Sequence, residues 1–157
     1  MRRTDREVKG FDEIIKIMEK CDVCRLGLND TEYPYILPLN FGIQVENGKI
    51  VLYFHGAAVG KKYELISKNN NAAFEMDCSH RLVTTPEKGS CTCTMEYESV
   101  IGHGRIELVK DNEKYDALCL LMKHYHEEEC QFNKEVVPET TVFKLIVESC
   151  TGKRRMK

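Results

Sequence analysis

The sequence predicts an α+β, mainly β fold with the strands closed into a barrel, and three observations carry that expectation. Several β-rich runs are joined by short turns, short amphipathic helices are inserted between groups of strands, and strand and helix signals do not alternate as a doubly wound parallel sheet requires. The 157 residues, 42% of them hydrophobic, supply enough apolar material for one core, so a single domain over residues 1–157 is expected. Residues 1–10 and 152–157 are expected to be flexible tails, the latter because a basic terminus commonly frays.

The elements follow in order. Phe11, Ile14, Ile15 and Met18 recur at helical spacing over residues 11–20, with Asp12 and Glu13 at the favourable N-terminal end. Two β-rich runs, 23–28 and 35–45, are separated by Asn29-Asp30-Thr31, and Pro38 marks the second as an edge or bulged strand. Asn47-Gly48 predicts a tight hairpin into a strand over 49–54, because both residues tolerate positive φ. A second helix is expected over 60–69, a strand over 72–77 and an exposed loop over 80–90. A long β-rich stretch over 94–109 should bend near Gly102-His103-Gly104. A third helix over 112–125 and a final strand through Phe143, Leu145 and Val147 complete the chain.

A net charge of -2 and a pI near 6.2 give no general attraction to nucleic acid or anionic lipid, so neither is an expected partner. Arg2, Arg3 and Arg6 are followed by no apolar run, so neither a signal peptide nor a spanning helix is expected and a cytoplasmic address follows. The eight cysteines therefore read as reduced thiols.

Three segments carry candidate chemistry. His55-Gly56-Ala57-Ala58-Val59-Gly60-Lys61-Lys62 leaves a strand, turns through small residues and enters a helix beside two ammonium groups, an arrangement that suits a phosphate. It is not a Walker A loop, because Lys62 stands where that loop needs Ser or Thr. An ordinary strand-to-helix turn with solvated lysines fits the same residues. In Tyr35-Ile36-Leu37-Pro38-Leu39-Asn40-Phe41-Gly42, Pro38 loosens the strand pairing and Asn40 offers polar groups between apolar neighbours. A flavin ring needs such a mixture of apolar walls and polar edge partners, although Pro38 protecting an edge and Asn40 capping a turn account for it as well. In Tyr97-Glu98-Ser99-Val100-Ile101-Gly102 an extended strand would present hydroxyl and apolar side chains on alternate faces.

Together these segments resemble the pyridoxamine phosphate oxidase-like, FMN-binding split-barrel superfamily, and most closely its Nim-type, nitroimidazole-resistance branch. The resemblance also runs through Cys24-Arg25-Leu26, Leu52-Tyr53-Phe54-His55-Gly56, Phe74-Glu75-Met76-Asp77 and Thr151-Gly152-Lys153-Arg154, and so covers nearly the whole chain. It implies a six-stranded Greek-key split β-barrel flanked by short helices, and a homodimer with FMN in clefts at the subunit interface. It further implies that Pro38, Leu39, Asn40 and Phe41 line the flavin ring, that His55 stands near its reactive edge, that Gly56 belongs to the cofactor site, and that Lys61 and Lys62 face the phosphate. Ser99, Val100, Lys153 and Arg154 would complete the pocket, from the same or the neighbouring subunit. The arginine-rich substrate motif of true pyridoxamine phosphate oxidases is not found near the C-terminus. The implied activity is an FMN-dependent oxidoreductase that reduces a small acceptor, with nitro-aromatic compounds as one candidate and His55 as the candidate proton donor.

Two alternatives stay open: a flavin- or haem-binding protein without turnover, and a metal-binding interaction domain built on Cys78, His80, Cys91 and Cys93. The one-residue spacers of the latter are shorter than those of usual zinc sites, so no metal is expected.

Overall fold

The computed structural model describes residues 3–84, 93–126 and 137–156. Eight strands and three helices follow one another as β1 (Glu7–Val8), α1 (Phe11–Met18), β2 (Cys24–Leu28), β3 (Tyr35–Leu39), β4 (Gly42–Glu46), β5 (Lys49–Gly56), α2 (Lys61–Lys68), β6 (Asn71–Val83), β7 (Thr94–Leu108), α3 (Lys114–Tyr125) and β8 (Thr141–Arg155). All pairings are antiparallel, in the order β3-β2-β6-β7-β8-β5-β4, with β1 added beside β8.

The two ends of this path, β3 and β4, are consecutive in sequence and separated only by Asn40 and Phe41. Leu39 and Gly42 are three peptide units apart, a span of at most about 11 Å. The sheet must therefore curl until its ends meet, yet β3 and β4 do not pair, so the barrel keeps an open seam there. The mainly β, α+β class is as expected, but the sheet has eight strands where six were expected. One extra strand arises because residues 35–45 break at Asn40 into two strands at opposite ends of the path. The other is Glu7–Val8, which pairs with Gly152 and Lys153.

Inside the curl, Leu26, Leu28, Ile50, Leu52, Phe54, Phe74, Met76, Val100, Phe143 and Leu145 form the main core with Ile17 and Met18 of α1. This is the burial that period-2 patterning encodes. Strand β5 breaks that pattern, because Val51 and Tyr53 on its other face pack under Ala117 and Leu118 of α3. At Asn47 and Gly48, φ angles of 51° and 75° form the expected hairpin, joining Glu46 to Lys49.

Three expectations need correction. Strand β6 runs on through Val83, because Arg81, Leu82 and Val83 pair with Glu96, Met95 and Thr94 beyond a bulge at Ser79 and His80. Residues expected in a loop thus extend a long hairpin. The C-terminal segment is not a free tail, since Gly152 to Arg155 pair along β7 as far as Tyr97. Within the N-terminal segment, β1 is likewise held by β8. The expected bend near Gly102-His103-Gly104 is present as a register shift between His103 and Gly104. Among the described residues, no helix is long and apolar enough to cross a membrane.

Candidate functional site

The end of β5 and the start of α2 build the first half of the site. His55 pairs with Val142 and Gly56 with Thr141 at the last rungs between β5 and β8. Gly60, at φ 140°, then turns the chain into α2. Lys62 folds back over this turn: a Cβ on Gly56 would stand 2.7 Å from Lys62 Nζ and 3.3 Å from Tyr63 Oη. The absence of a side chain at Gly56 therefore makes the cradle. Lys62 has no ion pair among the described residues, and its Nζ rests 4.7 Å from the Tyr63 ring centre. Tyr63 Oη is buried, and its interaction with the adjacent Thr141 side chain falls short of hydrogen-bond geometry. Burial pushes the Tyr63 phenol above its ordinary pKa. His55 is held below its ordinary pKa, first by burial and then by the Lys62 charge, so the neutral imidazole is favoured.

Lys61 has a different fate. Its Nζ pairs with Asp30 Oδ2 at 2.5 Å and lies 5.2 Å from the Tyr35 ring centre. The hydrogen bond from Lys61 holds Asp30 below the usual carboxylate range. Two adjacent lysines expected to act together are thus divided, one neutralised and one without a carboxylate.

The second segment lies along the seam. Pro38 pairs with Arg25 on the edge strand β3, as a residue without an N–H requires. Pro38 and Asn40 are exposed and Leu39 is half-buried. The Phe41 side chain is fully buried, 4.3 Å between ring centres from His124. Its N–H donates to Tyr125 Oη at 3.1 Å, and Tyr125 Oη in turn donates to the Asp22 carbonyl at 2.8 Å. The last β4–β5 pair is Gly42 with Tyr53, so the same register continued by two residues leads Asn40 toward His55. The β4–β5 hairpin thus brings the first two segments to one end of the barrel.

Ser99 sits in the centre of the sheet, between Asp77 and Lys153. Val100 is fully buried in the core. Strand alternation puts Lys153 and Arg154 on opposite faces. Lys153 Nζ lies 5.8 Å from the Tyr97 ring centre. Arg154 is committed elsewhere: its Nε donates to Glu98 at 2.5 Å and an Nη donates to Glu13 at 3.3 Å. Glu98, 1% exposed, also accepts from Lys20 at 2.7 Å and from Ser79 at 3.0 Å. Arg154 is therefore held by two carboxylates, one of them buried.

On β8, Val142, which pairs with His55, and Lys153, which pairs with Ser99, are eleven residues apart, a contour of at most roughly 36 Å. The two halves of the expected site thus lie near opposite ends of that strand. For the metal alternative, no group of three or more His, Cys, Asp or Glu is arranged to hold an ion among the described residues. Cys91 lies outside those residues. His80 Nε2 is paired with Asp77 at 2.7 Å and Cys93 is exposed.

Sequence reasoning missed Tyr63, Asp30 and Tyr125. Tyr63 read as one apolar residue of a helix, and its position directly after Lys61-Lys62 was the available signal. Asp30 and Tyr125 act across 31 and 84 residues, on Lys61 and Phe41, and no local pattern announces such pairs.

A family model described as pyridoxamine 5'-phosphate oxidase matches residues 11–154. No curated protein matches the chain. Among solved structures, a candidate 5-nitroimidazole antibiotic resistance protein from Bacteroides thetaiotaomicron is 32% identical, with a TM-score of 0.79 over 94% of this chain and 85% of that one. The flavocytochrome Anf3 from Azotobacter vinelandii has a TM-score of 0.80 at 17% identity, over 100% of this chain and 72% of that one. A FAD and heme binding protein from Mycobacterium smegmatis has a TM-score of 0.82 at 16% identity, over 97% and 74%. The last two likenesses show a shared fold alone.

Proposed function

Since the chain belongs to the pyridoxamine 5'-phosphate oxidase family, we propose that it is a flavoprotein that binds FMN and reduces a small acceptor. The observation that carries the reading is the set of unpartnered polar groups around Gly56. Lys62 Nζ lacks a carboxylate among the described residues, Tyr63 Oη is buried without a hydrogen bond, and both pack into the space that a side chain at Gly56 would fill. A phosphate satisfies an ammonium and a phenol donor at once, so these residues fit the phosphate end of FMN.

Bound there, FMN supplies the reducing equivalents. The chain supplies the rest. Lys62 and Tyr63 hold the phosphate, while Pro38, Leu39 and Asn40 give the ring an apolar wall with one polar contact beside it. His55, kept neutral, can orient an acceptor over the ring through a hydrogen bond from its ring N–H. Likeness to the candidate nitroimidazole-resistance protein makes nitro-aromatic compounds the first acceptor class to test.

The separation of the two halves along β8 favours a homodimer, in which the His55–Lys62 turn of one copy meets the Ser99 and Lys153 face of the other. The test begins with the visible spectrum of the purified protein and titration with FMN and FAD, read by flavin fluorescence quenching, with light scattering for the mass. Yellow protein that quenches FMN more tightly than FAD is the expected result. A colourless protein that takes up neither flavin overturns the reading, and flavin uptake without transfer to any acceptor removes the reductase half. A monomer by light scattering with flavin bound withdraws the shared site.

A further inference from the structure

Two thiols from different elements converge on one carbonyl oxygen. Cys21 Sγ, just past α1, donates to Ile17 O at 3.2 Å, and Cys78 Sγ of β6 approaches the same oxygen at 3.9 Å. The sulfurs are close enough to interact directly. The two thiols differ in access. Cys21 is 1% exposed, whereas Cys78 is half-buried on the wall of a cavity of about 330 Å³ that it shares with Lys20, Arg25, Asp77, Ser79 and His80.

The backbone beside Cys78 is also unusual. Pairing passes from Cys78 with Glu98 to Arg81 with Glu96, so Ser79 and His80 together face the single residue Tyr97. Ser79 takes up this extra length at φ 59°, in the left-handed region. The bulge interrupts regular pairing immediately after Cys78.

We propose that Cys21 and Cys78 form a reversible intramolecular disulfide when the protein meets hydrogen peroxide, tying the end of α1 to β6. In the first step Cys78 sulfur attacks one peroxide oxygen. The S–O bond forms, the O–O bond breaks, and the leaving hydroxide takes the thiol proton to become water. In the second step Cys21 sulfur attacks the Cys78 sulfenic sulfur. The S–S bond forms, the S–O bond breaks, and the Cys21 proton leaves with the hydroxide as a second water. The two sulfurs lose two electrons in total and the peroxide oxygens gain them. Cys78 acts first because the cavity admits the oxidant to it, and Cys21, buried against the same carbonyl oxygen, serves as the resolving thiol and gives up its proton as its sulfur attacks.

Neither step involves a flavin, so the inference stands apart from the function proposed above. To test it, the reduced full chain is treated with stoichiometric hydrogen peroxide at low protein concentration, alkylated, digested without reductant and mapped by mass spectrometry. The expected product joins the Cys21 and Cys78 peptides with the loss of two hydrogens, and dithiothreitol reverses it. C78S should abolish the linkage, and C21S should leave Cys78 as a sulfenic acid trapped by dimedone. Cys78 oxidised to an acid in the wild-type chain while Cys21 still alkylates overturns the proposal, as does Cys78 joined to any other cysteine. The wild-type map decides the matter even where a variant fails to fold.

Discussion

Lys61 Nζ rests 2.5 Å from Asp30 Oδ2, while Lys62, its neighbour in sequence, has no carboxylate among the described residues. The two lysines should therefore contribute unequally to FMN binding. Lys62→Ala removes a charge-assisted contact of about 1.5–3 kcal/mol, roughly a tenfold to hundredfold loss of affinity. Lys61→Ala loses an exposed pair already engaged with Asp30 and should change affinity by less than about fivefold. Fluorescence titration of both variants checks the order, and equal losses would contradict it.

Tyr63 offers a test in which stability and binding move in opposite directions. Its buried hydroxyl makes no hydrogen bond, and an unsatisfied buried group is destabilising. Tyr63→Phe should leave the flavin-free protein as stable as before, or more stable by up to about 1 kcal/mol, while weakening FMN binding. Urea denaturation without flavin, set beside an FMN titration, measures both. A clear loss of stability would show that the hydroxyl already has a partner.

Glu98 governs the acid limb of stability. Burial alone would raise its pKa, but hydrogen bonds from Lys20, Arg154 and Ser79 outweigh that and hold it below the ordinary glutamate value. The folded form thus binds its proton more weakly than the unfolded chain. The stabilisation is fully present above about pH 4.3, the ordinary glutamate value, and is lost as pH falls through the lower folded value. Glu98→Gln should cost about 1–3 kcal/mol at neutral pH, because Lys20 and Arg154 are exposed enough to turn to water. It should also flatten the loss of stability on acidification, as denaturation at several pH values would show.

Gly42 marks the closest approach of β4 to α3. A Cβ there would stand 2.6 Å from Leu121 N and 2.7 Å from Leu120 C, both backbone atoms that cannot swing aside. Gly42→Ala should cost about 1–3 kcal/mol by overpacking. Because α3 also carries Tyr125, which holds the Phe41 N–H, FMN affinity should fall with stability. Thermal unfolding and titration of one preparation check both.

Local signals made much of the fold legible. The Phe11 to Met18 helix and the Asn47-Gly48 turn rest on periodicity and on φ preferences that neighbouring residues fix. What stayed hidden depends on partners far along the chain. Arg81 to Val83 read as loop because nothing in a polar stretch reveals that Glu96 to Thr94 will pair with it. The break at Asn40 follows from its two flanking strands going to opposite ends of the sheet, a property of the whole path. At the site, the small residues and lysines of residues 55–62 were readable as an anion-binding turn. The capture of Lys61 by Asp30 and of Arg154 by Glu98 was not, because each needs the folded sheet to bring the pair together.

The central place of β8 bears on how the chain is made. Residues 141–155 pair with β1, β5 and β7, and so join elements that are synthesised long before them. While a ribosome is still adding this segment, the edges of β5 and β7 that will receive it have no partner and the apolar interior cannot close. Folding must then proceed after synthesis has passed residue 155, through contacts of large sequence separation, which makes it slow and leaves sticky nascent edges for chaperones to shield.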